Sequence, residues 1–272
     1  MRFFQIAVAV IFLICCCVCS AFFLNNRLNR DLTIPKITFD SDEIHVSVSA
    51  TDDDLLKGVE ATDTKDGNIS SKLIIESISN FIEPAKAEII YAVCDNDKHV
   101  AHNKRTVIYD DYSSPVFGLN SPLIFSVDRS ITLTDAFCAT DVIDGDISDN
   151  IILTVPDYEQ GSEGIFTVHA MVSNSKGDTV NADFPLVVEE MDNDAPAIEL
   201  TQYYLRVKSG DKVDPKKYIA SAYDSAGNDL TASVTYKYKK EAVTQGLYKV
   251  DYYVRSVNGS QGHTILLIAP EN

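Results

Sequence analysis

Ala139-Thr140-Asp141-Val142-Ile143-Asp144-Gly145-Asp146-Ile147-Ser148 decides how the rest of this chain is read. Nearly the same phrase stands earlier, as Ala61-Thr62-Asp63-Thr64-Lys65-Asp66-Gly67-Asn68-Ile69-Ser70. A worn copy follows, as Ala222-Tyr223-Asp224-Ser225-Ala226-Gly227-Asn228-Asp229-Leu230. The first acid of the phrase recurs at 63, 141 and 224, spacings of 78 and 83 residues. A period of that size marks tandem modules, so the fold has to be argued module by module. The 272 residues suit three modules of roughly 80 residues plus a leader. Each module is large enough to bury a modest core.

Prolines punctuate the chain at Pro35, Pro115 and Pro196, each at or just before a short apolar strand. The last two follow acidic, turn-prone runs, Asp110-Asp111-Tyr112-Ser113-Ser114 and Met191-Asp192-Asn193-Asp194-Ala195. These runs predict modules at 33–112, 113–193 and 194–272. One late strand alternates apolar and polar residues in every module. Its inward sets are Ala87, Ile89, Tyr91 and Val93, then Phe166, Val168, Ala170 and Val172, then Tyr248, Val250, Tyr252 and Val254. Lys249, Asp251, Tyr253 and Arg255 are expected on the opposite, outward face. Gly164 and Gly246 precede this strand in two copies, where the first copy has Ala85. Further strands are expected at 44–49, 73–77, 123–127, 151–155, 180–188, 204–208, 233–238 and 264–268. Six or seven short strands per module, with helical periodicity confined to the leader, predict an all-β sandwich.

The phrase A-T-D-x-x-D-G-[DN]-I-S, the linker D-x-x-[SA]-P and the strand G-x-[FY]-x-V-x-[YA]-x-V together resemble the bacterial immunoglobulin-like repeats of insecticidal crystal proteins and Gram-positive surface proteins. The resemblance covers residues 35–272, fullest in the second module and degraded in the third, where Gly227-Asn228 replaces Asp-Gly. It implies immunoglobulin-like β-sandwiches used as stalk, spacer or adhesive units, without a catalytic site and outside the cell.

The leader carries no charge from Phe3 to Leu24. Those 22 residues reach about 33 Å as a helix, enough to cross a bilayer's hydrocarbon core. Residues 1–30 are therefore expected to be one transmembrane anchor, a cleaved signal ending near Val18-Cys19-Ser20 being the alternative. Arg2 on one side and Arg27 and Arg30 on the other leave the charge rule for orientation undecided. Bulky residues before the leader cysteines argue against a lipid-attachment site. Of six cysteines only Cys94 and Cys138 lie in the body, at different module positions, which predicts two unpaired thiols. A net charge of −17 without a basic stripe excludes nucleic-acid binding.

Asp63, Asp66, Asp141, Asp144 and Asp146 could gather calcium, a hard cation that wants several oxygens. The other reading is a tight turn, with carboxylates accepting from nearby amides and glycine at positive φ. The fixed register of the phrase and its erosion in the third copy favour the turn. Cys94, Asp95, Asp97, His99 and His102 have zinc-binding chemistry but no standard zinc spacing, and a solvated hairpin tip is expected there. Tyr203-Tyr204 and the pair Tyr236 and Tyr238 are candidate sugar platforms, although the chain lacks tryptophan. Asn68-Ile69-Ser70 and Asn258-Gly259-Ser260 match the glycosylation triplet, which matters only in a host with that machinery. No nucleophile elbow or phosphate loop occurs, so neither enzymatic activity nor a cofactor is expected.

The reading is a single-pass, cell-membrane protein with residues after about 30 outside, or secreted if the leader is cleaved. Its three modules, strung end to end, would project about 100 Å as a stalk or adhesive array. The partner would be a surface protein or a glycan, and the alternative function is carbohydrate binding at cell wall or host.

Overall fold

The computed structural model describes residues 2–28, 32–208, 211–238, 242–244 and 246–271. Arg30, named above for orientation, and the terminal Asn272 lie outside them. The chain falls into two compact units, Met1–Asp110 and Asp111–Asn272. It is mostly β, with sandwich-like sheet pairs.

The first unit begins with α1 (Arg2–Leu28), whose window Val8–Asn25 has a mean hydropathy of 2.6. Length and composition suit a membrane span or a signal sequence equally. Then come β1 (Lys36–Phe39), β2 (Glu43–Val46), α2 (Asp52–Leu55), β3 (Val59–Asp63), β4 (Gly67–Asn68), β5 (Ile74–Ile78), β6 (Lys86–Cys94) and β7 (Val100–Tyr109). They form two sheets, β1-β3-β4 and β2-β7-β6-β5, with β2 parallel to β7. Ala87, Ile89, Tyr91 and Val93 of β6 are all buried between them, as their alternation predicts. The single turn α2 is a departure from the all-β expectation. Thr51 caps the Asp54 amide and Asp54 answers with its carboxylate, a capping box that closes one turn without apolar periodicity. Tyr91 donates its buried hydroxyl to the Leu55 carbonyl at 2.7 Å, fixing that turn to the core.

The second unit repeats this connectivity. Strands β8 (Val116–Leu119), β9 (Ile124–Ser126), β10 (Phe137–Asp141), β11 (Gly145–Asp146), β12 (Ile152–Thr154), β13 (Gly164–Ser173) and β14 (Thr179–Glu189) form sheets β8-β10-β11 and β12-β13-β14-β9. Strands β15 (Ala197–Leu200), β16 (Tyr204–Lys208), β17 (Ile219–Tyr223), β18 (Thr235–Tyr238), β19 (Tyr248–Arg255) and β20 (Gln261–Glu271) form β15-β17 and β16-β20-β19-β18. β9 runs parallel to β14, and β16 to β20, as β2 does to β7. Phe184 centres the first of these cores, edge-on to Phe117 and Phe137 at 5.8 and 5.1 Å. Tyr252 repeats the Tyr91 anchor by donating to the Pro215 carbonyl at 2.8 Å.

The end-to-end arrangement does not hold inside the second unit. Leu247, Ile265 and Leu267 are buried in the same apolar cluster as Phe184, Leu186, Val187 and Val188. Tyr204 meets Phe184 ring to ring at 5.5 Å, and Thr244 donates to the Asp183 carbonyl at 3.2 Å. The register of β19 on β20 puts Lys249 opposite Leu267 and Asp251 opposite Ile265, so these charges share a face with apolar contacts. That face is covered, leaving Lys249 and Asp251 4% and 2% exposed rather than outward. Burial of Leu247, Ile265 and Leu267 contributes on the order of 5 kcal/mol to this packing, as an upper bound.

Candidate functional site

The Asp-rich phrase closes the same turn in each sheet pair. Asp63 Oδ1 accepts from the amides of Lys65 and Asp66, both at 2.9 Å, and Asp141 Oδ1 from Ile143 and Asp144 at 2.8 and 3.1 Å. Gly67 and Gly145 follow at φ 72° and 73°, with open space around them, so glycine serves the backbone conformation there. A hydroxyl then seals the turn. Ser70, Ser148 and Thr231 accept from the amides of Ala61, Ala139 and Ala222 at 2.9, 3.1 and 2.9 Å. Thr231 extends the third copy by one residue beyond the match visible in sequence. The last acids hold the following turn: Asp146 accepts from the Ser148 hydroxyl at 2.6 Å, and Asp229 from the Thr231 amide at 2.8 Å. Hydrogen bonds from those hydroxyls and amides hold both carboxyls below the usual aspartate range.

The second acid of the phrase reaches out. Asp66 accepts from the amide and side chain of Asn96 at 2.8 and 2.9 Å, and Asp144 from the amide and hydroxyl of Ser175 at 2.6 and 2.7 Å. Both partners sit at the tip of the hairpin that follows the late strand. Asn174, buried at that tip, bridges Asp141 Oδ2 at 3.1 Å and the Tyr112 hydroxyl at 2.8 Å. The carboxylates are thus occupied by protein donors. Among the described residues, no three His, Cys, Asp or Glu side chains gather to hold a metal.

The zinc candidates disperse likewise. His99 turns back on Asp95, whose carboxylate accepts from the His99 amide at 2.7 Å and meets its Nδ1 at 2.8 Å. Burial works to raise the Asp95 pKa, but the His99 amide and imidazole prevail and hold it low. His102 lies in β7 against Glu76 at 2.8 Å. Cys94 and Cys138 are both free thiols. Cys138 stands opposite Gly118, where an added Cβ would come within 2.7 Å of its sulfur, and burial pushes its thiol pKa up. Of the candidate sugar platforms, Tyr204 is taken into the apolar packing between the two sheet pairs. Tyr236 and Tyr238 remain 42% and 46% exposed on edge strand β18. Their cross-strand partners Tyr252 and Val250 are core residues, so both rings rim the sandwich interior rather than form an outward platform.

Sequence reading missed the charged assembly between β14, β19 and β20. Lys249 Nζ lies 2.8 Å from Asp251 Oδ1, which lies 3.0 Å from His263 Nε2, and His263 Nδ1 lies 2.8 Å from Glu189 Oε1. Tyr253 stacks on the His263 ring at 4.4 Å and 15°. Burial would lower the His263 pKa, but its hydrogen bonds to Asp251 and Glu189 raise it above the ordinary value. Burial likewise opposes ionisation of Asp251, whose bonds to His263 and Lys249 keep its pKa low. The assembly opens on a cleft of about 700 Å³ lined by Asp128, Arg129, Glu190 and Asp192 besides Glu189 and His263.

No protein-family model matches the chain. It is 25% identical over 235 residues to a pesticidal crystal protein, Cry22Aa, of Bacillus thuringiensis, covering 82% of this chain and 31% of that protein's length. Among solved structures it aligns with a carbohydrate-binding module and INT domains of Clostridium perfringens ZmpB, at 19% identity and a TM-score of 0.28 over 52% of this chain and 30% of that one. Drosophila N-cadherin EC1-4 aligns at 11% identity and a TM-score of 0.25, covering 90% of this chain and 74% of that one. Scores this low carry no argument about ligand.

Proposed function

We propose that this chain is a non-catalytic adhesive or protein-binding protein, tethered to a membrane by α1 with its β-sandwich modules outside the cell. The modules are taken as residues 33–112, 113–193 and 194–272. One observation carries the reading: the repeated acids are consumed in closing turns and tying hairpin tips, so the motif needs no ligand to explain it. What recurs is scaffold, and a recurring scaffold behind an apolar helix suits presentation of a surface. Produced with its leader in a bacterial host, the full chain should fractionate with membranes. Protease added to intact cells should then digest everything after about residue 30. Full protection of that region would overturn the reading. Pelleting of the detergent-solubilised chain with purified cell wall or insoluble polysaccharide would replace protein binding by carbohydrate binding. Calcium dependence of that pelleting would make the Asp-rich turns a site.

A further inference from the structure

We propose that the chain of contacts Lys249–Asp251–His263–Glu189 is a pH-sensitive latch between the two sheet pairs of the second unit, closed when His263 is charged and loosened when it loses its proton. Glu189 ends β14 of one pair, while the other three residues belong to β19 and β20 of the next. With His263 protonated, both ring nitrogens are donors and each faces a carboxylate oxygen, at 3.0 and 2.8 Å. The four formal charges then cancel, which suits a site where three of the side chains are under a tenth exposed.

Loss of the proton turns one ring nitrogen into an acceptor facing a carboxylate and leaves one net negative charge in a desolvated site. Asp251 keeps Lys249 as its partner. The Glu189 side chain, 35% exposed, is free to turn to water, so Glu189–His263 is the contact that opens. The surroundings work in the same direction. Tyr253 packs on the ring with Lys237 5.5 Å from its own centroid, and the cleft presents Asp128, Glu190 and Asp192 against Arg129. The excess of acids there favours the imidazolium. Histidine is the side-chain type whose ordinary pKa puts its charge change between pH 5 and 8. Because its folded pKa is raised, its contribution is complete below the ordinary 6.5 and disappears as pH climbs through the folded value. Apolar packing of Leu247, Ile265 and Leu267 stays in place throughout, so the latch governs opening of the junction rather than folding.

The test uses the full chain in detergent with ring-labelled histidine, H263Q assigning the resonance among the five histidines. His263 should titrate above 6.5 and move back toward that value in E189Q. Across the titration, amide exchange at 190–195 and 261–264, corrected for base catalysis, should rise about tenfold. Exchange in β13 should not change. H263Q and E189Q should both lack the step, and E189Q alone decides the matter if H263Q fails to fold. Titration of His263 at or below 6.5, or an unchanged step in E189Q, would overturn the latch.

Discussion

The turn at 141–148 and the turn at 224–231 span equal lengths of chain, yet only the first is bonded to a distant hairpin tip. Asp141 is buried, accepts two amides and meets Asn174, and Asp144 grips Ser175. Asp224 is only half-buried and spends its carboxylate locally, on the Ala226 amide at 3.0 Å and on the amide and side chain of Asn228 at 2.8 and 2.9 Å. Gly227 stands where Asp144 does and has no side chain to reach a tip; it takes φ 82° itself, one residue earlier than Gly145. The motif therefore has two separable parts. A carboxylate staple and hydroxyl seal close the turn and survive in all copies. The tip tether is dispensable where other contacts hold the sandwich, and the third sheet pair has such contacts through Ile265, Leu267 and His263 on its covered face.

The largest expected break in this comparison is Asp141→Ala. It strips the acceptor from two amides and leaves the Asn174 side chain short of a partner in a buried site, a loss of about 3 kcal/mol. Asp224→Ala, with exposed groups that water can satisfy, should cost about 1 kcal/mol. A chain of two units need not melt in one step, so residue-resolved hydrogen exchange over 139–148 and 222–231 is the measurement. Equal losses at the two turns would erase the distinction. A smaller effect is expected from Asp144→Ala, about 1 kcal/mol, with faster exchange confined to the 174–178 tip. Asp66→Ala should do the same at the Asn96 tip, and any matching effect near 256–260 on altering Gly227 would contradict the tether's absence from the third copy.

Strands were legible in the sequence wherever one face is buried, because alternation then has a period of two; β13 follows it from Val168 to Val172, and β6 from Ala87 to Tyr91, where buried Ala92 breaks it. The same rule misplaced Lys249 and Asp251. Charges at alternate positions read as a solvent face, and that face becomes interior only when a second sheet pair covers it. The unbroken apolar run Ile265-Leu266-Leu267-Ile268 on β20 carried the missing signal, since a strand buried on both faces loses its alternation. At the turns, Asp141 and Gly145 were legible from local chemistry. Asn174 and Ser175 were not, because their bonds to Asp141 and Asp144 close over 33 and 31 residues. α2 escaped because a single capped turn is too short to show a period.

The worn third copy is not the less regular one everywhere, and the smallest expected effect lies where the first copy departs. Gly164 and Gly246 enter the late strand at φ 151° and 77°, and Ala85 occupies the equivalent position at φ 62°. Alanine in the left-handed region costs about 1–2 kcal/mol relative to its favoured conformations, through the clash of Cβ with the following carbonyl. The Ala85 carbonyl accepts from the Tyr109 amide at 2.9 Å, which holds the residue in place at the end of β7. Ala85→Gly removes the clash but enlarges the entropy of the unfolded chain by about 0.4–1 kcal/mol. The net expectation is a gain of roughly 0.5 kcal/mol, read as slower exchange at the Lys86 and Tyr109 amides. Gly246→Ala should run the other way, losing about 1 kcal/mol by the same clash. Opposite signs at 85 and 246 would establish one shared backbone requirement; a loss at both would mean that packing around Ala85, rather than its dihedral, sets the first copy apart.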